Sequence, residues 1–261
     1  MKRILFLTAA AAFCAGIAVR AASEADIYQA VRSGERLPVE TLLQQGVSPN
    51  HRDGSGNTLL MRATLYGRTE LLSFLLEKGA DVNATNNAGA TALMRAAGDT
   101  AKIKLLLAKG ADVNAKSALG NSPLILAARA NPSAEAVKLL IERGAEVNAT
   151  NNFGANAIQT ASAGGDIETV RVLLKNGADV NSHSRGSEPA VLWGGGRSPL
   201  MWAAARGDLP MMKVLLNAGA HVNEPEGFGT ALIQAAWMDQ IEAARLLIKN
   251  GAETTPKKGT L

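Results

Sequence analysis

The apolar residues of this chain recur in short clusters that have the spacing of α-helices. Each cluster has apolar side chains at positions i, i+3 and i+4, which share one face of a helix. A glycine stands three residues after each cluster and suits the left-handed residue with which helices end. The pattern predicts seven amphipathic helices. Their apolar positions are Val39/Leu42/Leu43, Leu72/Leu75/Leu76, Ile103/Leu106/Leu107, Val137/Leu140/Ile141, Val170/Leu173/Leu174, Met212/Leu215/Leu216 and Ala244/Leu247/Ile248.

A second pattern precedes six of these helices. A Ser, Thr or Asn stands first, an apolar residue follows at position +2, and an alanine at position +5. The first residue suits a helix N-cap, and the small alanine lets a neighbouring helix approach closely. The pattern therefore predicts a helix before each amphipathic helix, so that the chain is built from helix pairs. Their first residues are Thr58, Thr91, Ser122, Asn156, Ser198 and Thr230.

The helix pairs repeat along the chain at an almost constant interval. The closing glycines, Gly46, Gly79, Gly110, Gly144, Gly177, Gly219 and Gly251, are 33, 31, 34, 33, 42 and 32 residues apart. A period near 33 is typical of repeat architectures. The long interval contains an expansion, residues 182–197, which includes Pro189 and three consecutive glycines.

These units resemble the ankyrin-repeat family. Its signature Thr-Pro-Leu-His-x-Ala matches the opening segments, such as Thr91-Ala92-Leu93, and its Gly-Ala-Asp-Val-Asn segment occurs at 79–83, 110–114 and 177–181. The resemblance covers residues 24–255. It implies an all-α solenoid of about seven antiparallel helix pairs, with projecting hairpin loops and a protein-binding surface. The family's histidine is replaced throughout, by Met61, Met94, Ile125, Gln159, Met201 and Ile233.

The spacing divides the chain into consecutive segments. We expect a signal peptide at 1–21, an N-terminal capping repeat at 22–50, repeats at 51–83, 84–114, 115–148, 149–181 and 182–223, a C-terminal repeat at 224–255 and a tail at 256–261.

The first residues have the pattern of a secretory signal. Lys2 and Arg3 precede sixteen residues, 4–19, that carry no charge. Small residues at Val19 and Ala21 suit cleavage before Ala22. We expect export to a bacterial periplasm or secretion beyond it; an uncleaved anchor is the alternative interpretation.

Charge and cysteine content restrict the function further. The formal net charge of +4 falls to about +1 without residues 1–21, so no basic stripe remains for nucleic acid. The single cysteine, Cys14, lies in the predicted signal. A mature chain without thiols suits an oxidising compartment and excludes disulfides, thiolate metal sites and c-type haem. We expect no cofactor, no metal, no membrane insertion after cleavage and a monomeric chain.

A helical-wheel projection of the first helices predicts where a partner binds. Positions +4, +7 and +8 point away from the core at about 200°, 140° and 240°. Large side chains gather at the two ends of these rows. The predicted contact residues are Trp202, Arg206, Gln234, Trp237 and Met238 at the C-terminal end, with Trp193 from the expansion, and Arg62, Tyr66 and Arg95 at the N-terminal end. Alternatively, Trp193 covers its own repeat and Trp237 covers the end of the solenoid.

The sequence favours a non-catalytic module that binds an unknown protein of the cell envelope and stabilises or regulates it. A secreted effector that binds a host protein is an alternative. A small enzyme or metal protein that uses the 183–197 loop is another, because His183 and His221 flank this unit and Asp179 is nearby. No nucleophile motif or ligand spacing supports that last hypothesis.

Overall fold

A computed structural model describes residues 23–130, 134–183, 196–224 and 229–254. In these ranges the chain forms fourteen helices, arranged as seven consecutive pairs, and no strand beyond an isolated bridge between Arg52 and Thr58. The helices are α1 Glu24–Arg32, α2 Arg36–Gln44, α3 Leu59–Tyr66, α4 Thr69–Glu77, α5 Ala92–Arg95, α6 Thr100–Ala108, α7 Pro123–Arg129, α8 Ala134–Glu142, α9 Ala157–Gly164, α10 Ile167–Lys175, α11 Pro199–Arg206, α12 Leu209–Asn217, α13 Ala231–Trp237 and α14 Ile241–Lys249.

The helices pack in two layers. The first helix of each pair contacts the first helix of the next, from α1 through α13, and the second helices contact one another in the same order, from α2 through α14. Each pair therefore touches only its neighbours, as in a solenoid. The predicted all-α solenoid of helix pairs is confirmed.

Side chains cap the first helices at the residues that the sequence indicates. The Thr58 side chain accepts a hydrogen bond from the Met61 amide at 3.3 Å, and Thr91, Ser122, Asn156, Ser198 and Thr230 cap their helices in the same way. The first unit lacks the Thr-Pro-Leu opening but has a first helix of its own. There Ser23 and Asp26 form a capping box, which satisfies two free amides at the start of α1.

The core lies between the two layers. The alanines at position +5 (Ala63, Ala96, Ala127, Ala161, Ala203 and Ala235) are all fully buried. From the second helices, residues such as Leu75 and Leu140 are completely buried against them. Five of the six residues that replace the family's histidine are buried too, Ile233 being 41% exposed. The five buried residues thus lie in the interior, and Ile233 in the last unit does not.

The hairpin loops are joined by a repeated asparagine contact. Asn114 donates from Nδ2 to the Gly144 carbonyl at 3.0 Å and accepts through Oδ1 from the Glu146 amide at 3.0 Å. Six asparagines make this pair of bonds to the following unit: Asn50, Asn83, Asn114, Asn148, Asn181 and Asn223. The bonds fix the loops relative to one another. Within the described ranges, no helix has the length and apolar character needed to cross a bilayer.

Candidate protein-interaction surface

The ends of the first helices form a continuous exposed surface, here called the open face and defined by positions +7 and +8. Leu65 is 43% exposed and Tyr66 is 52% exposed, although their unit has neighbours on both sides. Arg129 and Arg206 are exposed at the corresponding positions of later units. Eight of the twelve residues in these two rows are exposed, as predicted, and the other four are half-buried: Asp99, Ala130, Ala163 and Ala205.

The +4 row does not lie on the open face as expected. Arg62, Arg95, Leu126, Thr160 and Trp202 are half-buried. Gln234 is fully buried, so its predicted exposure is wrong. Arg62 and Arg95 in this row bond to the loop residues Asp53 and Asn57, contacts that a projection of one isolated helix does not include.

The C-terminal end of the open face is apolar. Trp237 is 65% exposed and Met238, the next residue, is 47% exposed. Ile233 and Ile241 add exposed aliphatic side chains in the same unit. We call Ile233, Trp237, Met238 and Ile241 the C-terminal apolar patch. An exposed Trp237 fits both the partner contact and the alternative that it covers the end of the solenoid, so both stay predictions.

Trp202 and Arg206 make contacts within the chain. The guanidinium of Arg197 lies over the Trp202 ring, 4.8 Å from its centroid. Burial lowers the pKa of Arg197. Arg206 donates from Nη1 to the Ala163 carbonyl at 3.3 Å, near the C-terminal end of α9, where a cation is favourable. Trp202 is thus less accessible than predicted. Trp193 lies outside the described residues.

At the N-terminal end, the predicted residue Arg62 forms an ion pair with a buried carboxylate. Its Nε donates to Asp53 Oδ2 at 2.9 Å, and its Nη2 also donates to that oxygen. Asn57 donates to Asp53 from its backbone and from its side chain. Burial by itself would raise the pKa of Asp53, but the hydrogen bonds from Asn57 and Arg62 outweigh it and lower the pKa to about 2. Asp53 is therefore ionised at neutral pH.

Tyr28 completes this group from the first unit. The Arg62 guanidinium lies 5.3 Å from the centroid of the Tyr28 ring. Burial, followed by the charge of Asp53, raises the pKa of Tyr28 to about 12, so its hydroxyl stays protonated. The Tyr28 ring also lies 6.4 Å from the ring of His51.

Arg95 belongs to the same group through Asn57. Its Nη2 donates to Asn57 Oδ1 at 2.6 Å, and Asn86 donates to the same oxygen at 2.8 Å. Tyr66 extends the group onto the open face, where the Arg32 guanidinium lies 6.0 Å from its ring centroid. Arg62, Tyr66 and Arg95 thus lie in one group, and their contact with a partner stays a prediction.

Three residues of this group, Tyr28, Asp53 and Asn57, are missed by sequence reasoning. Asp53 and Asn57 lie in a hairpin loop, where such residues usually serve turn formation. A signal was nevertheless present, because Arg62 at +4 recurs as Arg95 one unit later. Arginines at equivalent positions of neighbouring units indicate acceptors nearby, and these are Asp53 for Arg62 and Asn57 for Arg95.

The residues considered for metal binding do not come together in the described part of the chain. No group of three or more His, Cys, Asp or Glu side chains there has a geometry that holds a metal ion. His221 lies beside Glu224, with Nδ1 2.6 Å from Oε2, and both are exposed. His183 is exposed as well. Residues 184–195 of the proposed loop site are outside the described ranges.

Comparison with known proteins supports the architecture directly. A family model described as ankyrin repeats (3 copies) matches residues 27–117, 98–184 and 185–258. An ankyrin repeat-containing protein of Schizosaccharomyces pombe is 37% identical over 68 residues, which cover 26% of this chain and 33% of that protein. Human M-phase phosphoprotein 8 is 38% identical over 73 residues, 27% of this chain and 8% of that protein.

The matched region spans a third or less of the length of each of these relatives. The likeness therefore concerns the repeats and not the whole proteins. Ankyrin repeats are protein–protein interaction modules and in general have no catalytic activity. The family model matches most of the length of this chain. This chain therefore belongs to the ankyrin-repeat family.

Proposed function

We propose that this protein is an exported, monomeric binding module that attaches to a protein of the cell envelope through its open face and stabilises or regulates it. The repeats supply the binding surface. The export part of the proposal rests on the basic start, the uncharged run 4–19 and the small residues before Ala22. The absence of cysteine after Cys14 suits an oxidising compartment.

The observation that supports binding through the open face is the exposure of its largest side chains. Trp237 and Met238 leave much apolar surface in water, and solvent exposure of this kind in a soluble domain is typical of an interface. The end of the described solenoid does not by itself explain the exposure of Trp237 at position +7. Leu65, at the same position of an interior unit, is 43% exposed. Tryptophan is enriched among residues that dominate binding energy.

Capture from a periplasmic extract tests this part of the proposal. The immobilised protein is compared with Trp237→Ala and with the control Leu37→Ala, which removes a 73% exposed leucine from the second-helix layer. We expect Trp237→Ala to weaken binding of the captured protein by at least about 2 kcal/mol and to leave the melting temperature nearly unchanged. Equal binding by wild type and Trp237→Ala would exclude Trp237 from the interface.

Cell fractionation followed by mass spectrometry tests the export part. We expect the protein in the periplasmic fraction, with Ala22 as its first residue. Recovery in the culture medium would instead favour the secreted effector, and retention of residues 1–21 would favour the uncleaved anchor.

A further inference from the structure

Arg95 is a partly buried cation without a carboxylate partner. No ion pair involves it within the described residues, although Arg62 beside it is paired with Asp53. Its hydrogen bond from Nη2 goes to a neutral amide oxygen, that of Asn57. Its Nε is buried and has no hydrogen-bond partner in the described part of the chain. Keeping such a group partly buried without a counter-charge costs free energy in the free protein. An anion supplied by a partner removes that cost in the complex.

Two further atoms of the same group are buried and unsatisfied. Tyr28 Oη and His51 Nε2 have no hydrogen-bond partner among the described residues. Buried polar atoms are nearly always paired in native proteins. These three atoms, one in each of the first three units, are hydrogen-bonding capacity that the described part of the chain does not use, as are Gln159 Nε2 and Ser162 Oγ in α9.

The charge of the surrounding open face is positive. Arg32 and Arg129 are exposed and form no ion pair in the described ranges, and Arg95 lies on a first helix between theirs. The two nearby carboxylates are neutralised, because Asp53 pairs with Arg62 and Asp99 pairs with Lys102 at 3.3 Å. Three guanidiniums, on the first helices of the first, third and fourth units, thus form no ion pair within the described ranges.

We propose, resting on the proposed function, that an acidic segment of the partner protein binds across the N-terminal half of the open face. A carboxylate of that segment contacts the half-buried Arg95 guanidinium beside this face. Arginine binds carboxylates in a planar, two-point geometry. Tyr66 and Leu65, both exposed beside the charged group, provide apolar contact for the rest of the segment.

A protein carboxylate fits this surface better than a nucleic acid does. The ionised Asp53 lies within the group, and Asp99 caps the N-terminus of α6 in the next unit. Because both carboxylates are paired with cations, the region offers separate guanidiniums and no continuous row of cations, and this suits a single carboxylate better than a row of phosphates. The near-zero charge of the chain without residues 1–21 also gives no broad attraction to a polyanion.

Fluorescence anisotropy with synthetic peptides tests the proposal. The probe is a labelled twelve-residue peptide with four glutamates among glycine, serine and leucine; the control peptide has glutamine at the four positions. In a buffer of low ionic strength, we expect the glutamate peptide to bind at least about tenfold more tightly. Equal binding of the two peptides would overturn the proposal. Tighter binding of a twelve-nucleotide single strand would also overturn it, in favour of nucleic acid.

Charge-removing variants locate the site. We expect Arg95→Gln to weaken binding of the glutamate peptide at least about fivefold. The control Arg143→Gln, which changes an exposed arginine after α8, should alter that binding less than about twofold. If Arg95→Gln does not fold, a double variant that changes two exposed arginines, Arg32→Gln with Arg129→Gln, is expected to give the same loss of binding. Unchanged binding by folded variants would contradict the assignment. Since no native partner is used, such a result leaves the capture experiment above unaffected.

Discussion

Asp53 shows how a single residue organises the N-terminal group. It accepts hydrogen bonds from Ser55, Asn57 and Arg62, and its side chain is almost fully buried. These bonds hold Arg62 against the loop and leave Arg95 as the neighbouring cation without a carboxylate. Asp53 therefore neutralises Arg62, and Arg95 is the cation of the group that remains without a carboxylate.

The lowered pKa of Asp53 predicts a pH-dependent contribution to stability. Because the folded-state pKa of about 2 lies below the unfolded value of 3.8, the contribution is complete above the unfolded pKa. It is lost as the pH falls from about 5 to 2 and amounts to about 2 kcal/mol.

We expect Asp53→Asn to lower the free energy of unfolding at pH 7 by about 1–3 kcal/mol and to remove this part of the acid dependence. Urea denaturation at pH 7 and at pH 3 measures both effects, with the exposed Glu135→Gln as control. An acid dependence of Asp53→Asn equal to that of wild type would show that Asp53 contributes nothing to it.

At the scale of elements, the helices themselves could be predicted from the sequence. The caps at Thr58 and Ser122 and the buried stripe around Leu140 follow from local residue types and helical spacing, which act within one unit. The seven closing glycines also behave as predicted, with φ between 81° and 93°. Local rules suffice here because each unit repeats the same local structure.

Contacts between elements could be predicted only in part. Gln234 is fully buried although a projection of its helix alone places it outward, because such a projection takes no account of neighbouring units. The bond from Arg95 to Asn57 joins residues 38 positions apart, and no local pattern gives its geometry. The asparagine bonds between loops were missed for the same reason: the sequence shows the repeated Asn, but not the backbone groups of the next unit that it reaches.

The core of α8 provides a test of helix orientation. Leu140 is fully buried, whereas Leu139, its neighbour in the same helix, is only partly buried. We expect Leu140→Ala to lower the free energy of unfolding by about 2–5 kcal/mol, through lost burial and a cavity. Leu139→Ala should cost at least about 1 kcal/mol less. Chemical denaturation measures both, and a loss below about 0.5 kcal/mol for Leu140→Ala would mean that the helix faces are wrongly assigned.

At the scale of the whole molecule, the two layers differ in structural role. The second helices bury their apolar stripes and close the core, while the first helices bury alanines on one side and present the open face on the other. The open face is basic at its N-terminal end and apolar at its C-terminal end. A partner that spans it would therefore combine an acidic segment with an apolar one.

Hydrogen exchange with and without the captured partner tests the central claim, binding through the open face, most directly. Binding slows exchange where the partner covers the backbone or suppresses local opening. We predict added protection in the first helices, greatest at α13 and at α3 and α5, and little change in the second helices α4, α8 and α12. Added protection confined to the second-helix layer, with none in α3, α5 or α13, would contradict the account.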